Sequence, residues 1–202
     1  MRGIGGAIVA GAAASWLTLL ATPAAAEAAG LECMAASYTA EEEATVERLS
    51  ADFDIDKDGQ GNSASDEIAK MAGKATKACG QKAGWNDEQL IYAALFEVGR
   101  LSEQAFRHSK MMSSAEIQKI DASLAQGNRD NLWTALERAV MGGIAKSKQD
   151  ASPQDTFAIG AFLLGAGVGT DEKTATNTGV LLGFMALQRL GKREFSALQK
   201  GQ

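Results

Sequence analysis

Three times in this chain a small polar residue stands three positions ahead of Glu or Gln and just before an apolar run. The pairs are Thr39 with Glu42, Asn86 with Gln89, and Ser113 with Glu116. This spacing forms a capping box. The first side chain accepts from the backbone N–H of the third helical residue, whose own side chain accepts from the N–H of the cap. Each box therefore predicts where a helix starts. The chain holds only two prolines in 202 residues, and Pro153 directly follows Ser152. That is the first helical position, where a missing N–H costs nothing.

Periodicity agrees with the caps. Val46, Leu49 and Phe53 fall on one helical face, as do Ile68, Ala72, Ala75 and Cys79. Gly80 is the expected C-terminal cap of that second stripe. Residues 90–96 are apolar nearly all round, which marks a central helix surrounded by others. Ile117, Ile120 and Leu124 form a shorter helix ending before Gly127, and Asn128 opens another through Leu132, Leu136 and Ile144. No segment alternates with period two between hairpin turns, so no sheet is expected. The expected fold is all-α: a single-domain bundle of six to seven helices.

The polar stretch "TDEKTATN" reads as a turn between two glycine-rich apolar segments, so 152–191 is expected to form an antiparallel helical hairpin. Ala161 with Gly165, and Gly179 with Gly183, place small residues four apart, the spacing found where helices approach closely. The apolar runs 157–168 and 179–187 are both shorter than the roughly 20 residues needed to cross a bilayer. Insertion into a membrane is therefore not favoured.

Residues 1–26 read as a cleaved signal peptide: Arg2, an apolar run from Ile4 to Ala21, and small residues at Ala24 and Ala26 before the cut. The mature domain is then 27–202, exported to the periplasm or secreted. Its two cysteines, Cys33 and Cys79, are expected to form a disulfide in an oxidising compartment. Removing Arg2 leaves 19 basic against 25 acidic residues, a net charge of −6. That balance argues against nucleic acid as a partner. Residues 27–66 hold eleven acids against Arg48 and Lys57, and Lys70, Lys74, Lys77 and Lys82 follow them, which predicts an acidic helix lying against a basic one.

The candidate ligand site in the sequence is "DIDKDGQGNSASDE". Asp54, Asp56 and Asp58 take the first, third and fifth positions of a helix–loop–helix calcium loop, with Gly59 sixth, the Gln60 carbonyl seventh and Asn62 ninth. Over these twelve residues the stretch resembles an EF-hand loop, and the resemblance implies calcium as the ion. Ser65 stands where that pattern has its bidentate glutamate, and Gly61 where it has an apolar residue. The expectation is a weak calcium site at most, on a loop that chiefly connects two helices.

Catalytic signatures are scarce. There is one histidine, His108, no glycine-bracketed serine, and no phosphate loop or dinucleotide fingerprint. The expected function is a non-catalytic binding or structural module acting on an envelope component or another protein. The competing expectations are an envelope enzyme using an acidic residue such as Glu97 in a helical cleft, and a membrane-associated protein acting through 152–191.

Overall fold

The computed structural model describes residues 30–56, 60–145, 152–169 and 171–201. The expected signal segment and its cleavage point lie outside them. The described residues form eight helices: α1 (Glu32–Ala35), α2 (Ala40–Ser50), α3 (Ser63–Ala83), α4 (Asp87–His108), α5 (Ser114–Leu124), α6 (Asp130–Ile144), α7 (Pro153–Ala166) and α8 (Glu172–Lys200). No strand occurs among them. The all-α expectation holds, with one helix more than expected because the short α1 has no cap or periodicity of its own to announce it.

The caps sit where the sequence puts them. Thr39, Asn86 and Ser113 each make both bonds of a capping box, and Ser152 accepts from the Asp155 N–H with Pro153 in the first turn. Three boundaries differ, the first being α6, which starts at Asp130 after Arg129 rather than at Asn128. Helix α3 continues past Gly80 to Ala83 and ends on Gly84, whose φ of 71° is left-handed. Gly80 is instead a packing residue, since a Cβ there would run into the Leu90 side chain of α4. The stretch expected as a polar turn is largely helix: Asp171 caps α8 through the Thr174 N–H, and Glu172 to Asn177 form its first turns.

The centre of the fold is the antiparallel pair α4 and α8, the most extensive helix–helix contact. Trp85 meets Phe195 edge-on at one end, with ring centroids 4.9 Å apart, and Phe106 meets Phe184 further along. Asn177 donates to the Met111 carbonyl beyond the end of α4. Two glycines permit this approach. A Cβ on Gly99 would stand 2.7 Å from the Phe184 carbonyl oxygen, and one on Gly191 would stand 2.5 Å from the Tyr92 carbonyl oxygen. Side chains larger than hydrogen are excluded at both points.

Helices α2 and α3 cover α4, and Lys74 of α3 reaches Glu42 of α2 at 2.5 Å, the expected acidic-on-basic contact. Cys33 of α1 is bonded to Cys79 of α3, as expected. Around that bond, Leu31, Met34, Trp85 and Phe195 make a second, smaller apolar cluster.

The hairpin expected within 152–191 is not the arrangement found. Helix α7 packs on α6 and α5, while α8 turns to α4 and α6. The antiparallel partner of α7 is α6: Arg129 near the start of α6 lies over the ring of Phe162, and Arg138 two turns later pairs with Asp155 near the start of α7. No atom would meet a Cβ at Gly165, Gly179 or Gly183 within 4 Å. The close approach expected at these glycines is not found; the glycines that a neighbouring helix backbone presses against are Gly99 and Gly191, between α4 and α8.

Candidate functional site

The loop between α2 and α3 folds back on itself. Asp56 donates its N–H to the Gln60 carbonyl at 2.9 Å, and its Oδ1 accepts from the Gln60 N–H at 2.8 Å. Ile55 and Gly61 form an isolated antiparallel bridge, and the Asn62 N–H donates to the Asp54 carbonyl. Asn62 is the cap of α3: its Oδ1 accepts from the N–H groups of Ala64 and Ser65, both at 3.1 Å, and its Nδ2 donates to the Asp52 carbonyl. The candidate calcium ligands Gln60 and Asn62 are thus engaged in holding the loop together. Asp54 and Asp56 are exposed, while Asp58 lies outside the described residues. Among the described residues no group of three or more His, Cys, Asp or Glu is placed to hold a metal.

Glu97, the acid singled out for a cleft, stands on the inner side of α4 and is 0% exposed. Tyr38 donates its hydroxyl to Oε1 at 2.8 Å. Arg100 donates Nη2 to the same oxygen at 2.6 Å and Nε to Oε2 at 2.9 Å. The Arg100 guanidinium also lies over the Tyr38 ring. Burial and the neighbouring carboxylate push the Tyr38 hydroxyl far above its ordinary range, and the Glu97 bond raises Arg100 as well. Both carboxylate oxygens have donors, and Glu97 lines neither of the two cavities described below. It holds the core together by tying α4 to the segment before α2.

A cavity of about 630 Å³ opens between α6 and α7. Leu132 and Phe162 floor it, Ala158 and Ala161 form one wall, and Phe157 stands at its edge, 76% exposed. Arg129, Arg138 and Asp155 supply its charges. Arg138 is paired with Asp155 at 2.8 Å, whereas Arg129 donates to the Ser123 carbonyl at 2.7 and 3.1 Å and pairs with no carboxylate among the described residues. Asn128, Asn131, Thr134 and Gln154 also line it, so polar and apolar surface are mixed in a cavity of a size that a small molecule can fill. A smaller cavity of about 280 Å³ lies beside the acidic loop, between Asp52, Asp54, Lys110 and Lys173.

Helix α7 explains why the larger cleft is there. From Phe157 to Ala166 it carries no charge, yet only one side is covered. Phe162 and Ala166 enter the core, while Phe157, Ala161 and Leu164 form an exposed stripe four and three residues apart. Met141 and Ile144, at the end of α6, are exposed as well. No helix among the described residues is long and apolar enough to cross a membrane.

The chain matches no family model, no curated protein and no solved structure. Sequence reasoning missed the cleft because Arg129, Arg138 and Asp155 look like ordinary surface charges until α6 and α7 are paired. The available signal was α7 itself, apolar on every side in a chain where each other long helix has a polar face.

Proposed function

We propose that this protein is an exported, non-catalytic binding module whose ligand enters the cleft between α6 and α7. The observation that supports it most is the combination of a half-open cavity of about 630 Å³ with the exposed ring of Phe157 at its edge. An apolar ring left in water at the edge of a cavity is stabilised when a ligand covers it, at about 25 cal/mol for each Å² removed from water. The Cys33–Cys79 bond supports the exported location, because disulfides persist in oxidising compartments. The partner would be a small envelope component, and nucleic acid remains disfavoured by the excess of acid.

Calcium takes second place in this reading. The 54–62 loop acts first as a helix connector, and any calcium it binds is held weakly by Asp54, Asp56 and Asp58.

The test uses N-phenyl-1-naphthylamine, a neutral probe that fluoresces in apolar surroundings. Titrated into the protein, it is expected to saturate at one site per chain. Ala161→Trp, a change at an exposed position of the cleft wall, should abolish that saturable signal without loss of folding. A signal that never saturates, or that is unchanged in Ala161→Trp, would reject the cleft as the binding site.

A further inference from the structure

We infer that the α6–α7 cleft takes a monoanionic amphiphile, a free straight-chain carboxylate, with its headgroup at Arg129 and its chain along Phe162, Ala161 and Phe157. This rests on the cleft being the binding site, and adds to it the chemical class of the ligand. The charge balance carries the inference. Arg138 and Asp155 neutralise one another at one end of the cleft, 2.8 Å apart. At the other end Arg129 keeps an unmatched positive charge, since its partners are the carbonyl and hydroxyl of Ser123 and the face of Phe162, 5.5 Å away. Among the described residues that line it, the cleft therefore carries two positive charges against one negative, in a chain that is negative as a whole.

The geometry also separates head from tail. The Ser123 carbonyl fixes Arg129 through its Nε and one terminal nitrogen, so the guanidinium is oriented before any ligand arrives, which lowers the cost of binding. From Asn131 to Arg138 the groove follows two turns of α6, about 10 Å at the usual helical rise. Along it the α7 wall is apolar from Phe157 through Ala158 and Ala161 to Phe162, with Gln154 and Asp155 at the Arg138 end and Asn131 and Thr134 on the facing α6 side. A chain lying there would cover Phe157, and its end would point toward the neutral Arg138–Asp155 pair, where a second anionic group would meet Asp155.

The experiment compares three probes of equal chain length below their aggregation limits: dodecanoate, dodecanol and dodecyltrimethylammonium, each competing with N-phenyl-1-naphthylamine. Dodecanoate should displace the probe about tenfold more tightly than dodecanol, as a charge-assisted contact at Arg129 requires. The ammonium compound should be the weakest of the three. Arg129→Gln should bring dodecanoate down to the level of dodecanol, each displacement being corrected for the variant's own naphthylamine affinity. Should Arg129→Gln fail to fold, Arg129→Lys, which keeps the charge, must retain the preference for dodecanoate. Equal displacement by dodecanoate and dodecanol would overturn the ligand class and leave the cleft standing, whereas absence of saturable naphthylamine binding would remove the cleft itself. Binding only to phosphatidylglycerol vesicles, retained in Ala161→Trp and indifferent to dodecanoate, would make α7 a membrane contact and overturn the proposal.

Discussion

The hydroxyl of Tyr38 donates to the buried carboxylate of Glu97 across 59 residues of sequence, at 2.8 Å. With Arg100 on the other side, the carboxylate is satisfied only while all three residues are present. Replacing Glu97 by Ala strands the Arg100 guanidinium, and removing one partner of a buried pair costs about 3–5 kcal/mol. Tyr38→Phe loses one bond to a charged acceptor, about 1.5–3 kcal/mol. Urea denaturation of the two variants should place them in that order. A Glu97→Ala protein as stable as the wild type would show that the cluster does not hold the fold.

The glycines of α8 divide into two kinds. Gly191→Ala should destabilise by about 1–3 kcal/mol, because the methyl group meets the α4 backbone rather than a side chain that could move. Gly183→Ala fills open space in a helix and should stabilise by up to about 1 kcal/mol. Opposite shifts in melting temperature, eight residues apart on one helix, are the expected result.

Reduction of the Cys33–Cys79 bond opens a loop of 46 residues. On the chain-entropy estimate this lowers stability by about 4 kcal/mol. Thermal melts with and without reductant, alongside a Cys33→Ser, Cys79→Ser double variant, should agree with each other and both lie well below the oxidised protein.

The carboxyl of Glu42 is held at about 2, against an ordinary value of 4.5, first by the Lys74 ammonium and then by the Thr39 N–H. A carboxylate depressed by folding stabilises the native state above its unfolded value. That contribution is therefore complete above about pH 4.5 and fades as the pH falls toward 2. Glu42→Gln should be less stable than the wild type at pH 7, with the gap closing through this window in parallel urea titrations.

In the 54–62 loop, Asn62→Ala should cost about 1 kcal/mol with or without calcium, because Asn62 caps α3. Calcium itself is expected to bind no more tightly than about 10⁻⁴ M, the upper end for extracellular modules. Any upward thermal shift in millimolar calcium should vanish in an Asp54→Ala, Asp58→Ala variant. Micromolar affinity by calorimetry would contradict the connector reading and return calcium to the centre of the function.

Helix starts were legible because a capping box is written within four residues, and Thr39, Asn86, Ser113 and Ser152 all cap as read. The disulfide was legible for a similar reason, since two cysteines allow one pairing. Partners were not. The spacing of Gly179 and Gly183 shows that one face of α8 is small, but not which face meets a neighbour. Gly99, alone in a well-formed helix, gave no local hint that α8 would press against it. The cleft failed to appear for the same reason: Arg129 acquires meaning only beside Phe162, 33 positions further on.

The α4–α8 contact joins groups far apart along the chain: Met111 to Asn177 spans 66 residues and Glu103 to Gln188 spans 85. Contacts of such long range must wait for a large loop to close before they stabilise anything, which slows folding. Until α8 arrives, α4 presents the bare backbone beside Gly99 and an uncovered apolar flank. The bundle is therefore expected to close through a long-range event rather than by neighbour-to-neighbour growth alone, with α4 exposed to solvent for as long as α8 has not docked.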